Sequence, residues 1–142
     1  MIALNNKTSG RIGELGEAAA ERFLKRRGHR IITVNYNTYG GEIDIVSVHK
    51  GTLVFTEVKT KSSRYRGAPI GELSYTKIKN LRKAGYWFVR VECENHRVPY
   101  YVGRLRFTLK YKDYRFDLIE VFVEDDVTRQ IMHTKNVIKT EK

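Results

Sequence analysis

The sequence predicts an α/β domain built on a mixed central sheet flanked by helices, with the element order αβββαβ. Three observations lead there. Apolar residues recur at helical spacing near the N-terminus and again from about 74 to 89. Between those stretches lie successive segments rich in β-branched and aromatic residues, and a nearly continuous apolar run, Arg115 to Val123, follows them. At 142 residues the chain can bury one sizeable core without disulfides or a structural metal. We read 1–142 as a single domain, with 1–10 a flexible arm and 127–142 a C-terminal tail.

In the first helix Ile12, Leu15, Ala19 and Phe23 repeat with helical period up to Arg27-Gly28, where glycine stops the helix, and Thr8 or Ser9 supplies the cap. Glu17 shares a line with Gly13, Ala20 and Leu24, neighbours small or apolar enough for a helix to lie close to a sheet. It is equally readable as an ordinary acid near a helix N-terminus, favoured by the dipole. Gly10-x-x-Gly13-x-x-Gly16 is not a dinucleotide loop, because no strand precedes it and the spacing is wrong.

Arg30 to Tyr36 is a strand, and Asn37 to Gly41 turns into the central feature of the chain. Ile43 to Val48 and Leu53 to Thr60 read as the two strands of a hairpin joined by Lys50-Gly51, a good two-residue turn. That turn pairs His49 with Thr52 and, counting outwards, sets Asp44 opposite Glu57. Cross-strand Cβ atoms are only about 5 Å apart, so two acids there repel unless something neutralises them. Lys59, two residues past Glu57, returns to the same face, with Leu53 and Phe55 as its apolar floor. The reading depends on register, since a one-residue slip sends Asp44 and Glu57 to opposite faces.

Ser62 to Pro69 has loop composition, with two arginines around a tyrosine, and suits contact with a phosphate backbone or an unpaired base. The second helix runs from about Ser74 to about Val89 with Ile78, Leu81, Gly85 and Phe88 on one face, and Tyr86-Trp87-Phe88 is read as closing a core. Val91 to Arg104 fits no element. Leu105, Phe107, Leu109 and Tyr111 then alternate with basic and polar residues, a strand with one apolar and one basic face. Arg115 to Val123 is a strand buried on both faces. In the tail, Ile131, Val137 and Ile138 are placed to pack on the sheet.

The formal charge of +11 is unevenly distributed: from Lys61 to Arg90 eight basic residues stand against one acid, Glu72. Such a field favours a polyanion, and nucleic acid over a membrane, because no segment forms a surface-seeking basic amphipathic helix. Lys61, Arg64, Arg66, Lys77 and Arg82 are the residues assigned to nucleic-acid contact. The lone cysteine, Cys93, fits a reducing compartment, and no apolar run approaches a membrane span or a signal peptide core, so a cytoplasmic location is expected.

His29, His49, His96, His133 and Cys93 lack zinc spacing, and no nucleophile triad or phosphate-cradling glycine loop is present. Metal-assisted chemistry remains. The oxygen ligands of Asp44 and Glu57 suit Mg2+ or Mn2+, which accept phosphate oxygens and lower the pKa of bound water. Lys59 is placed to orient or deprotonate that water, or to stabilise charge developing on phosphorus. The reaction these groups allow is phosphodiester hydrolysis.

The element order and the Asp44…Glu57-x-Lys59 spacing resemble the PD-(D/E)XK nucleases, the restriction endonuclease-like superfamily that includes Holliday junction resolvases. Gly13-x-x-Gly16-Glu17-x-Ala19-Ala20, Gly41-Glu42-Ile43-Asp44, Phe55-Thr56-Glu57-Val58-Lys59 and Arg115-Phe116-Asp117 together are similar to the YraN-like family of small bacterial proteins, over roughly Gly10 to Val123. The resemblance implies a restriction endonuclease-like core. It makes Asp44 and Glu57 metal ligands, the backbone carbonyl of Val58 a further one, Lys59 the catalytic lysine and Glu17 a helix carboxylate near the metal. Arg115 and Asp117 would be structural. Lys61 stands where the family often has arginine, Thr56 replaces a more usual apolar residue, and the basic strand from Arg104 to Lys112 looks like an addition.

The leading expectation is thus a Mg2+- or Mn2+-dependent endonuclease acting on structured or partly single-stranded DNA, with DNA preferred over RNA. A homodimer would supply the two sites that junction cutting needs. The rival is a non-catalytic nucleic-acid-binding protein on the same scaffold, which gives no reason to aim carboxylates at a polyanion. An adaptor for an acidic protein leaves the acid pair unexplained.

Overall fold

A computed structural model describes residues 8–62 and 71–138. Helix α1 (Thr8–Arg26) is followed by strands β1 (Arg30–Thr38), β2 (Gly41–His49) and β3 (Thr52–Ser62). Helix α2 (Tyr75–Glu92), strands β4 (Arg97–Val102) and β5 (Leu105–Lys110), and strands β6 (Asp113–Glu124) and β7 (Val127–Thr134) complete the order. The main sheet runs β1-β2-β3-β6-β7, antiparallel except for the parallel β3–β6 pair, whereas β4 and β5 form a separate ribbon. The mixed sheet with a helix on each face is the expected αβββαβ core, with the ribbon inserted before its last strand.

Two cores result. On one face α1 buries Ala19, Ala20 and Leu24 against Ile45, Ile119, Val121 and Val123. On the other α2 buries Leu81, Ala84 and Phe88 against Val46, Val48, Leu53, Phe55 and Phe116. The central strands β3 and β6 are therefore covered on both sides, which explains the unbroken apolar run in β6. The α1 seam is the line of Gly16, Ala20 and Leu24, while Ile12, expected inside, is 36% exposed. Gly16 is obligatory there, because a Cβ would overlap Oγ1 of Thr60 on β3.

Several expectations are corrected. The helix begins at Thr8, inside the stretch read as an arm, and residues 1–7 lie outside the described residues. The tail from 127 onwards begins with β7, which pairs with β6 through the Asp125-Asp126 turn, both residues left-handed. Acidic turn residues look like a strand terminator, but Asp tolerates positive φ and so makes a hairpin of the same letters. Val91 to Arg104 contributes the last residues of α2 and the whole of β4. Of Tyr86-Trp87-Phe88, only Phe88 closes the core; the other two rings are half exposed. Ser74 caps α2, its side chain accepting from the Lys77 N–H at 3.2 Å. Among the described residues no helix is long and apolar enough to cross a membrane.

Asp117 ties the far side together. Burial alone would raise its pKa, but hydrogen bonds from His133 Nε2 (2.8 Å), the Arg115 guanidinium (2.9 Å) and the Asn136 N–H (2.9 Å) hold it below the ordinary value. The motif arginine and aspartate are thus structural. Nearby, buried His29 pairs with Ser47 Oγ at 2.8 Å and stacks on His49 at 4.2 Å, and burial followed by the charges of His49 and His133 pushes it down to about 4.

Two stability predictions follow from this packing. The unfolded chain protonates His29 at its ordinary pKa and the fold refuses the proton down to about 4. That contribution is complete above about pH 6.5 and is lost progressively as pH falls towards 4. Asp117 adds a further loss at lower pH still, as pH drops through its depressed folded value. Urea midpoints should fall across the His29 window, and His29→Gln should flatten the fall by roughly 2 kcal/mol; an unchanged slope refutes the assignment. Separately, Thr56 Oγ1 is fully buried with no hydrogen-bond partner among the described residues. Thr56→Val should therefore raise the melting temperature, by about 1 kcal/mol of stability.

Candidate functional site

The hairpin register is as predicted. His49 pairs with Thr52 across Lys50 and Gly51, whose φ values of 49° and 79° define a type I′ turn, and the ladder continues to Ile45 opposite Thr56. Asp44 and Glu57 occupy the next position outwards, where the β2–β3 ladder stops. In its place Oδ2 of Asp44 accepts the backbone N–H of Val58 at 2.8 Å.

The sheet is also irregular here on its other flank. Ile43 packs into the α2-side core and Ile45 into the α1-side core, although strict alternation would put both on one face. Between Val34 and Tyr36, their partners on β1, Asn35 adopts a left-handed φ of 52°. Asp44 therefore sits at a twist where the two cores exchange, neither wholly inside nor on the surface.

Four acids act on one another around this point. Asp44 is raised well above the ordinary carboxylate value, first by desolvation and then by Glu57, with Glu17 and Glu42 adding to it and the Val58 N–H opposing. Glu57, only 6% exposed, is raised by burial even though Lys77 partly offsets it, the Lys77 Nζ lying 3.1 Å from its Oε2. Lys77 is raised in turn by Glu57. Glu17, brought against β3 by the Gly16–Thr60 contact, is raised by its own burial and then by Glu42 and Glu57. A helix acid responding to two strand acids is more than a residue favoured by the helix dipole, so the structure draws Glu17 into the site.

Glu57 and Glu42 border a cleft of about 520 Å³ between the β1–β2 turn and the start of α2, which contributes Ser74, Thr76, Lys77 and Asn80. Gly41 lets the two sides close up, since a Cβ there would lie 2.6 Å from the Asn80 carbonyl oxygen. The cleft thus combines carboxylates on the sheet with the amide-rich first turn of a helix, an arrangement able to hold a cation and an anionic oxygen side by side.

Lys59 lies in register with Glu120 of β6 and lowers the pKa of Glu57 through its charge; it makes no ion pair with a described residue. Lys61 is a correction. Instead of reaching outwards to nucleic acid, its Nζ is buried and paired with Oε2 of Glu120 at 2.7 Å, while Oε1 of Glu120 accepts the Gly71 N–H at 2.9 Å. A buried carboxylate needs compensation, and Lys61 supplies it. Lys77 belongs to the acid cluster, Arg82 already has an interaction with a neighbour, and Arg64 and Arg66 lie outside the described residues.

Glu42, Glu120 and the Lys77–Glu57 pair were not singled out from sequence. Glu42 was detectable as the second acid of the Gly41-Glu42-Ile43-Asp44 segment, although the break in alternation at Asp44 was not. Glu120 was detectable as well, as the one acid within the apolar run Leu118 to Val123. The Lys77 contact was not, since it depends on how α2 docks.

Among the described residues no three acidic, histidine or cysteine side chains form a ready-made metal cage. The donors nevertheless suit a hard divalent cation in type. Asp44 and Glu57 present carboxylate oxygens whose repulsion a cation would offset, and the Lys77 ammonium already stands at one of them.

The comparisons with known proteins agree with the motif pattern. The model of the uncharacterised protein family UPF0102 matches residues 16–121. A UPF0102 protein of Alkaliphilus metalliredigens is 37% identical over 114 residues, covering 79% of this chain and 85% of the relative. One from Alkaliphilus oremlandii is 36% identical over 111 residues, covering 78% and 84%. One from Clostridium novyi is 40% identical over 80 residues, covering 56% and 67%. The matched region runs from Gly16 at the α1 seam to Val121 in β6 and includes all four acids of the site, so the chain belongs to the UPF0102 family.

Proposed function

We propose that this protein is a metal-dependent endonuclease that hydrolyses phosphodiester bonds of DNA, with structured or partly single-stranded DNA as its substrate and the cytoplasm as its location. The observation that carries the proposal is the gathering of Asp44, Glu57, Glu17 and Glu42 beside an open cleft in a chain of net charge +11. Stability alone gives no reason to collect like charges at a desolvated point, and a surface that only held phosphates would be weakened by them.

Asp44 and Glu57 would hold Mg2+ or Mn2+, with the Val58 carbonyl and Glu17 as the further ligands the PD-(D/E)XK resemblance implies. When bound, the ion supplies Lewis acidity towards the scissile phosphate and a more acidic water. The Val58 N–H fixes the Asp44 carboxylate, so this ligand is oriented before any metal arrives. Lys59, without an ion pair among the described residues, is available to orient the attacking water or to stabilise charge on phosphorus. Attack by that water forms the new P–O bond as the old one breaks, and the leaving oxygen takes a proton. Lys77 pairs with Glu57 at the cleft edge and would turn to a substrate phosphate where a cation took its place beside Glu57.

A second reading, a non-catalytic nucleic-acid-binding protein, is favoured by one observation: Lys77 pairs with Glu57, so one of the two acids has a cation partner within the chain itself. The two separate experimentally. Labelled duplex, single-stranded, flap and four-way-junction DNA and an RNA should be incubated with the protein in Mg2+, Mn2+ or EDTA. We expect metal-dependent cleavage of DNA that drops about 100-fold or more in Asp44→Asn, Glu57→Gln and Lys59→Ala. Activity surviving in Asp44→Asn sinks the site; salt-sensitive binding without cleavage of any substrate establishes the binder.

An independent prediction uses metal binding itself. Calorimetric titration with Mn2+ should show a site in the parent that weakens at least tenfold in Asp44→Asn, and Lys77→Ala should tighten it by removing the competing ammonium. Equal affinity in parent and Asp44→Asn would place the ion elsewhere.

A further inference from the structure

We propose that the β4–β5 ribbon is a nucleic-acid-binding arm whose basic face lies along the phosphate backbone of a duplex, outside the cleft that holds the candidate site. The inference rests on the nucleic-acid reading of that site and extends it to a surface no catalytic residue occupies.

The pairing of the ribbon separates its two faces cleanly. Val98 stands opposite Leu109, Tyr100 opposite Phe107 and Val102 opposite Leu105, an apolar face whose root, Val98 and Leu109, is packed into the α2-side core. The other face carries Arg97 opposite Lys110, Pro99 opposite Thr108 and Tyr101 opposite Arg106, and Arg104 follows Gly103 in the two-residue turn. Arg97, Tyr101, Arg104, Arg106 and Lys110 are all exposed.

From Arg97 to Lys112 the chain has five cations and no acid. None of the five forms an ion pair with a described residue. Directly opposed like charges such as Arg97 and Lys110 destabilise a strand pair, and a two-stranded ribbon has little stability to spare. Solubility is satisfied by charges of either sign, whereas a strand pair that carries cations and no acid, with Glu94 and Asp113 only at its ends, suits a polyanion.

Shape selects among polyanions. A two-stranded antiparallel ribbon has the width that the major groove of a duplex admits, and arginine side chains on one face meet phosphate oxygens in bidentate geometry. The root of the ribbon packs on the same face of the sheet as α2, the face on which Lys77 meets Glu57. At the base of the ribbon lies a cleft of about 990 Å³ whose lining includes Lys112, Arg115 and Lys135 together with one acid, Asp113. A ribbon with three or more phosphate contacts positions a backbone without reading its sequence.

The test measures anisotropy of a fluorescent 20-base-pair DNA duplex with full-length protein in EDTA, so that cleavage plays no part, from about 50 to 200 mM salt. In the triple substitution Arg97→Gln, Arg106→Gln, Lys110→Gln we expect affinity at the lower salt to fall at least tenfold and the slope of log K against log salt to flatten by about two to three. All three side chains are exposed, so the melting temperature should hold, and Arg22→Gln, Lys25→Gln, Arg26→Gln on the exposed flank of α1 serves as a charge-matched control. Equal losses in the two variants, or none in the ribbon variant, overturn the inference. Cleavage of flap and four-way-junction DNA by the parent, measured separately in Mg2+, distinguishes failure of the ribbon from failure of the site: cutting with unchanged ribbon-variant binding leaves the site reading standing. Capture of the parent by phosphatidylserine vesicles but not by the duplex also overturns it, and makes the exposed Val102, Leu105 and Phe107 a membrane-contacting tip.

Discussion

Everything at the candidate site hangs on the register of β2 against β3. The type I′ turn at Lys50-Gly51 sets it, because both residues take left-handed backbone angles that match the twist of the flanking strands. With that register Val46 and Val48 face Phe55 and Leu53 in the α2-side core, and Asp44 and Glu57 meet one step beyond the ladder. A slip by one residue would take Val46 and Val48 out of line with Phe55 and Leu53 and separate the acids, so packing and chemistry enforce the same pairing. The parallel docking of β6 then carries the constraint across the sheet, setting Glu120 beside Lys59 and leaving Lys61 to neutralise it.

Interrupting the ladder gives the site its character. A regular β2–β3 pairing would consume the Val58 N–H in a backbone bond; here it is given to the Asp44 carboxylate instead. The twist at Asp44 and Asn35 lets one strand feed both cores, and it leaves the carboxylate half-buried where water is scarce and other acids are near. Desolvation and like-charge repulsion then work in the same direction on Asp44, Glu57 and Glu17. Such an arrangement costs stability in the free protein, and Lys77 and Lys61 limit the cost by pairing with Glu57 and Glu120.

Asp117, in register with Thr56 one residue from Glu57, shows the opposite strategy. It is fully buried, yet with donors from Arg115, His133 and Asn136 it is held in its charged form as a clamp between β6, β7 and the turn beyond. One buried carboxylate is saturated with hydrogen bonds and is structural; another is crowded with its own kind. The number of donors around an acid, more than its burial, separates the two roles.

Much of this was legible in the letters alone. Alternation and a two-residue turn were enough to set the hairpin register from His49–Thr52 to Ile45–Thr56, one step short of Asp44 and Glu57, because strand geometry is local and its period is fixed. The αβββαβ order and the doubly buried β6 came from periodicity in the same way. Three things required the folded chain. Lys61 turned inward because Glu120, remote in sequence, lay within reach of it; Lys77 reached Glu57 only through the docking of α2; and β7 formed because Asp125-Asp126 could turn the chain back onto β6. The sequence by itself determined which residues could share a face of a strand or helix, since that follows from the backbone repeat. Which charges became partners was decided by tertiary structure, because an ion pair depends on distances between elements that no local period specifies.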